Sequence, residues 1–266
     1  MAVLTGVRDD ADGAPDDSVW ERLERCTGSE EVLAVQAAGL PQPDQLCGPF
    51  AARAALHAVL PAEQVPDLRT LALAAGTHLW GDDDPASRPP GVPQQPWRTD
   101  EQGGDLPVAV DAQDAGTDAA GLATGIVRAT RGAVGVVPVR RDDAGAWPVG
   151  IVTGLLGTLA AVPYPVGVVA NVTTGPLTGT GWDVGHFVVL WGLDRETGAV
   201  AVADSYAELT ARGAPPGCHL VHPADLAAAL GAGPGRGLLL LTDPEHAALL
   251  AERCVEHGLV LRTWRV

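Results

Sequence analysis

Apolar residues are spaced along this chain in two ways. In the first third they recur at helical intervals. Ser29–Gly39 predicts a short helix with Ser29 as N-cap, Glu30 and Glu31 in its first turn and Gly39 as the stop. Cys47 to Leu60 predicts a second helix, with Pro49 in the first turn, where its missing N–H costs nothing. Asp67 to Ala75 predicts a third. Beyond these the pattern alternates: Ala119–Thr130 helix, Ala133–Arg140 strand, Val149–Ala161 helix, Val166–Thr173 strand. Gly185–Trp191 is a strongly apolar strand. The turn Asp194–Gly198 and the apolar Ala199–Ala203 make it one arm of a β-hairpin. Pro223–Leu230 then reads as helix, Gly237–Leu241 as a buried strand, Pro244–Glu256 as helix and Leu259–Val266 as an edge strand. Helices lead and strands follow, which is the α+β pattern.

Two polar stretches break this text. Residues up to Asp17 are rich in Asp, Gly and Ala and read as a disordered acidic tail. Trp80 to Asp105 is dominated by Gly, Pro, Asp and Gln and reads as a long surface loop or flap. Residues 18–266 otherwise read as a single domain, with apolar content sufficient for a large core. Its most apolar stretch, Val149–Ala170, is interrupted by glycines and by Pro163 and Pro165, so no membrane span is expected. The N-terminus lacks the regions of a signal peptide, and a cytoplasmic protein is expected.

Composition removes several classes of chemistry. The chain has 266 residues and a formal net charge of −16. That charge argues against nucleic acid as a partner. All its basic residues other than histidine are arginines. Without lysine there is neither a Walker A phosphate loop nor a Schiff base. Cys26, Cys47, Cys218 and Cys254 are widely separated, with no CxxC pair. They suggest neither a zinc site nor a disulfide scaffold. The glycine-rich Gly231–Gly237 precedes a strand and is read as a connection, and Asp82-Asp83-Asp84 as solvated acid. Nothing in the sequence bears on oligomeric state.

The residue type that remains to do chemistry is cysteine. Cys47 joins a Gln/Pro loop, Gln42-Pro43-Asp44-Gln45, to a helix N-terminus. The partial positive charge there favours thiolate, which makes the residue a candidate nucleophile. A small buried core residue is the alternative at this position. A thiolate nucleophile needs a base, and the base needs an orienting group. His57 is too far along the same helix to reach Cys47. His186 opens the apolar strand Gly185–Trp191, and the returning arm of the hairpin ends in Asp204. Antiparallel pairing brings Asp204 back beside His186, where a carboxylate can orient the imidazole. Trp182 and Asp183, just upstream, line a cleft or pack at its rim.

Cys47-Gly48-Pro49 on a helix, then Gly185-His186-Phe187-Val188-Val189, then an apolar strand ending in Asp204 resembles the papain-like cysteine peptidases, closest to the C39 and C39-like families. The likeness covers about Leu40–Leu60 and Gly181–Leu241. It implies a papain-like fold, with Cys47 as nucleophile, His186 as base and then acid, and Asp204 orienting His186. It also implies a peptide or amide substrate and no metal or organic cofactor. The family's oxyanion glutamine normally lies six residues before the cysteine, where this chain has Pro41. Gln42 is therefore the candidate, with Gln45 second. In place of the family's Asp-Pro, Ser205 follows Asp204. The same triad could instead pass its acyl group to an amine, and the fold could serve as a non-catalytic binding module.

Overall fold

The apolar run Gly185–Leu193 is buried along its whole length except at Gly185, and the molecule is arranged around it. The computed structural model describes residues 19–81, 84–98, 105–142, 147–179, 181–232 and 236–264. The segment read as an acidic tail lies outside the described residues, as do Asp82, Asp83 and residues 99–104 of the polar loop. The helices are α1 (Val19–Arg22), α2 (Ser29–Gly39), α3 (Cys47–Leu56), α4 (Leu68–Ala75), α5 (Ala119–Ala129), α6 (Val149–Ala161), α7 (Thr174–Thr178), α8 (Pro223–Gly231) and α9 (Pro244–Glu256). The strands are β1 (Glu24–Arg25), β2 (Gly135–Arg140), β3 (Gly167–Thr173), β4 (Gly185–Leu193), β5 (Val200–Ala203), β6 (Cys218–Val221), β7 (Gly237–Thr242) and β8 (Val260–Leu261). Each pairs antiparallel with its neighbours, in the order β6-β5-β4-β3-β7-β2-β8, and β1 joins the far end of β4. The result is a mixed helix-and-strand fold on an open antiparallel sheet, in keeping with the α+β class. No helix among the described residues is long and apolar enough to cross a membrane.

Because strand side chains alternate, the sheet has two buried faces with different packing. On one face Val168, Val188, Leu190 and Leu240 meet Leu155 and Leu159 of α6, Leu226 and Leu230 of α8, and Leu250 of α9. On the other, Val169, Phe187, Val189 and Leu239 meet the alanines of α3 (Ala51, Ala52, Ala54, Ala55), with Leu71 of α4 and Leu122 and Ile126 of α5 around them. Alanine lets α3 lie close to the strands. At Gly167 a Cβ would fall 2.4 Å from the Ala55 carbonyl oxygen, so only glycine fits beneath the helix.

The β4–β5 hairpin is irregular. Val189 pairs with Ala203 and Leu190 with Val202, but Gly192 then pairs with Ala201, leaving Trp191 as an extra residue in β4. Trp191 fills the α3-side core, stacked on Trp20 at 6.2 Å between centroids, with Arg25 5.6 Å from its ring. Beyond the bulge, Asp194 ties the turn down. It accepts both Nε and Nη2 of Arg22 at 3.2 and 3.0 Å, and the Thr197 hydroxyl at 2.7 Å.

Two local expectations are revised. Ser29 does not cap α2: Gly28 does, at a φ of 90°, and Ser29 is the buried first helical residue. The positive φ suits glycine, and Ser29 instead gives its N–H to the Cys26 carbonyl. The C-terminal edge strand shrinks to Val260–Leu261, paired with Val139 and Arg140. By contrast Asp67 does cap α4, its carboxylate accepting the Thr70 N–H at 2.6 Å.

Candidate active site

Cys47 is the first residue of α3 and is half-buried. Leu46 before it has no capping side chain, so the first-turn N–H groups of α3 have no side-chain partner at that position. The sulfur sits among donors: the amides of Gly48 and Phe187 bond it, and so does the His186 ring. On its other side, His186 Nε2 lies 3.1 Å from Asp204 Oδ1, with both side chains almost wholly buried. With Nε2 engaged by the carboxylate, Nδ1 is the ring nitrogen left for the thiol. Cys47, His186 and Asp204 thus form one hydrogen-bonded chain.

The charges in that chain follow from competition between burial and neighbours. Burial pushes the Cys47 thiol up, but the bond and charge of His186, with the two backbone amides, bring it below its ordinary value. Burial pulls His186 down, yet Asp204 and then Cys47 lift it to about 10. Burial likewise raises the Asp204 carboxyl, and His186, His219 and the Tyr206 amide hold it below the ordinary carboxylate value. All three shifts run in the direction of a thiolate–imidazolium pair braced by a carboxylate. Cys26, Cys218 and Cys254 behave oppositely, since burial pushes each of them up to about 12.

Asp204 is fixed by more than His186. Its N–H donates to the Gly217 carbonyl at 2.8 Å, and its own carbonyl accepts the buried Gln36 Nε2 at 2.6 Å. The Tyr206 N–H reaches Oδ1 at 3.2 Å. Gly217 has a φ of +74°, and a Cβ on it would meet the Asp204 carbonyl oxygen at 2.3 Å. These bonds fix the Asp204 backbone, and the Tyr206 N–H holds the carboxylate oxygen that faces the imidazole.

The two candidate glutamines separate clearly. Gln45 is tied to the backbone of Trp80 in both directions, Nε2 donating at 3.1 Å and Oε1 accepting at 2.6 Å. Its amide is committed to holding the polar loop. Gln42 is buried, its side chain contacts the Tyr206 hydroxyl, and its Oε1 has no hydrogen-bond partner among the described residues. Gln42 is thus not tied to the loop backbone as Gln45 is. Its unpartnered oxygen is an acceptor, and only its Nε2, which carries two N–H groups beside the Tyr206 hydroxyl, could donate to an oxyanion.

The polar loop crosses the site. The backbones of Asp44 and Gln95 are joined by Asp44 N–H to Gln95 O at 2.7 Å, and Asp44 Oδ2 accepts the Gln95 N–H at 2.9 Å. Arg88 lies 3.8 Å from the same carboxylate and donates Nε to the Val92 carbonyl at 2.9 Å. Val92 then packs on Trp182 and Tyr206. Those two rings roof the histidine, with centroids 5.3 and 5.7 Å from the His186 ring. Trp182 is therefore buried against the imidazole, whereas Asp183 is exposed.

Tyr206, Gln36 and His219 escaped sequence reasoning. Gln36 is a polar residue on the buried side of an alanine-rich helix, which was a usable signal. His219 sits on the short β6 near Asp204, and burial keeps it below its ordinary value. The remaining histidines serve elsewhere: His222 caps α8, His78 pairs with Asp114, His246 stacks on Tyr164 and His257 meets Thr158. Among the described residues no group of three or more His, Cys, Asp or Glu side chains is placed to hold a metal ion. A cleft of about 510 Å³ lies between α6 and Arg253 of α9, and none of Cys47, His186 and Asp204 lines it. A smaller one, about 360 Å³, borders Asp44, Gln45 and the aromatic rings of Trp80 and Trp97, beside the nucleophile loop.

No curated protein matches the chain. Residues 26–265 match a family described as a family of unknown function, DUF6885. That span takes in every element from the start of α2 onward, triad included, and the chain belongs to the DUF6885 family.

Proposed function

We propose that this chain is a papain-like thiol hydrolase acting on a peptide or amide bond. The observation that carries the reading is the buried His186–Asp204 pair at 3.1 Å with the half-buried Cys47 bonded to the same imidazole. A nucleophile helix packed on an antiparallel sheet supports the papain-like comparison. The Cys47 thiolate attacks the carbonyl carbon, and the oxygen takes the electron pair. The Cys47 N–H at the helix start and the Gln42 amide are the candidate donors to that oxyanion. Collapse of the intermediate breaks the C–N bond as His186 gives its proton to the leaving amine. Water then attacks the thioester, losing a proton to His186, and the thiolate departs with the electron pair of the C–S bond. The chemistry requires a reduced thiol, which suits a cytoplasmic setting.

Iodoacetamide labelling against pH tests this. Cys47 should label well below pH 8, while Cys26, Cys218 and Cys254, pushed up by burial, serve as slow internal controls. Hydrolysis of a peptide library should vanish in Cys47→Ala. Its rate should fall on the acid side as Cys47 gains a proton, and on the alkaline side as His186 loses one near about 10. A Cys47 that labels like a free thiol, falling off below about pH 8, overturns the reading.

A further inference from the structure

The end of the sheet that carries His186 also carries a cation that the triad does not use. Asp204 follows β5 and His186 opens β4. Asn171 lies on the adjoining β3, opposite Phe187, and Arg236 immediately precedes β7. Across the sheet, Asp204 follows the strand on one side of β4, and Arg236 precedes β7, two strands away on the other. Arg236 is held in place. Its Nη1 donates to Asn171 Oδ1 at 2.9 Å, and that buried amide oxygen also accepts Trp264 Nε1 at 3.1 Å. Asn171 Nδ2 in turn reaches toward the His186 carbonyl at 3.5 Å, linking the clamp to the catalytic strand.

The guanidinium lies against the backbone just before His186. A Cβ on Gly185, the exposed residue before His186, would lie 3.2 Å from both Nη1 and Nη2 of Arg236. Glycine at that position is what admits the guanidinium beside the histidine. Arg236 Nε is buried with no acceptor, and Nη2 has none among the described residues. The charges that act on the guanidinium are those of Asp183 and Cys47. Asp183 is exposed, so solvent screens it. Burial works against the guanidinium charge, and the negative groups act to keep it.

We propose that Arg236, clamped by Asn171 and given room by Gly185, forms a carboxylate-binding subsite beside Cys47. The substrate it selects is a peptide or amide bearing a carboxylate next to the scissile bond. This deepens the thiol-hydrolase reading and rests on it for the word substrate. The binding subsite itself does not depend on turnover. Guanidinium and carboxylate match as a two-point pair, which a neutral isostere cannot satisfy.

The test compares two alkylating reagents of similar size, iodoacetate and iodoacetamide, on Cys47 of the full chain. In both, the thiolate displaces iodide from a CH₂ group; only iodoacetate carries the carboxylate. The iodoacetate-to-iodoacetamide rate ratio should fall about tenfold in Arg236→Gln, the scale of one charge contact in a partly buried site. It should largely recover in Arg236→Lys, which restores the charge and controls for folding. An unchanged ratio in folded Arg236→Gln overturns the subsite, whatever the reactivity of Cys47. If Cys47 labels like an ordinary thiol but the ratio still depends on Arg236, the subsite stands and the hydrolase reading falls. Peptide pairs then identify the source of the carboxylate: Glu against Gln for a side chain, free against amidated C-terminus for a terminal group. A preference in either pair that disappears in Arg236→Gln supports the proposal, and none in both overturns it.

Discussion

The two faces of the sheet are packed to different ends. The face under α6, α8 and α9 is filled by long aliphatic side chains, Leu155, Leu159, Leu226, Leu230 and Leu240, in ordinary close packing. Directly under α3 the other face is made of alanines over Gly167, with Leu71, Leu122, Ile126 and the Trp20–Trp191 stack around them. Long aliphatic side chains bury more area per residue than alanines do. Small ones bring backbone close to backbone. That lets the first residue of α3 touch groups at the strand ends. Bulk fills one side of the sheet and close approach shapes the other, and the site joins them: Cys47 comes from α3, while His186 and Asp204 share the phase of Val188.

The sharpest way to break this arrangement is at Asp204. Asp204→Asn keeps the size of the group but removes the charge that supports the imidazolium, and turnover should drop by about a thousandfold or more. Circular dichroism and thermal unfolding should show a much smaller change, and a collapse of the fold would contradict that role. Next in size is a crossed pair of core substitutions. Leu155→Ala should cost about 2–5 kcal/mol in denaturant unfolding while leaving the Cys47 labelling rate unchanged. Gly167→Ala should cost about 1–3 kcal/mol, because the new Cβ forces Ala55 and its helix outward, and it should slow the labelling of Cys47. Equal labelling in the two variants would show that α3 does not depend on close approach.

The smallest effect belongs to the far end of the hairpin. Arg22 holds the Asp194 carboxyl down at about 2 against the pull of burial, helped by Thr197 and the Glu196 amide. Arg22 is partly exposed, so Asp194→Asn should cost only about 1 kcal/mol near neutrality. A carboxyl with a depressed folded pKa stabilises above its unfolded value and loses that contribution as pH falls through the folded one. The difference between wild type and variant should therefore close between about pH 4 and pH 2 in acid unfolding curves, with Cys47 unaffected.

Much of this arrangement was legible in the residues. Val149–Ala161 and Pro244–Glu256 are the observed spans of α6 and α9, because Pro, Gly and Asp punctuate their ends. That His186 and Asp204 come to the same end of the sheet followed from the hairpin turn, whereas the bulge at Trp191 that sets their phase did not. What escaped depended on contacts distant in sequence. Gln45 looked like a possible oxyanion donor until Trp80 was seen to occupy both ends of its amide. Tyr206 read as the residue after a turn, since nothing local says that Val92 and Trp182 will close over it. The clamp on Arg236 joins residues from β3, the β7 entry and the C-terminal segment, and no single stretch of sequence holds more than one of its parts.

The extra residue in β4 has a consequence for inheritance of the site. Were Trp191 paired in the ladder, opposite Val202, Asp204 would stand opposite Val189, whose side chain points toward α3. With Trp191 bulged out, the Val189–Ala203 pairing carries Asp204 to the level of Val188, which shares its side of the sheet with His186. The bulge thus keeps carboxylate and imidazole in phase while giving β4 a tryptophan for the core. Deletion of Trp191 would leave the other pairings of the hairpin as they are and cost the stack on Trp20. One residue added between Val202 and Asp204 would instead turn the carboxylate to the other face. Tolerance to length change in this hairpin should depend on where the residue is gained or lost.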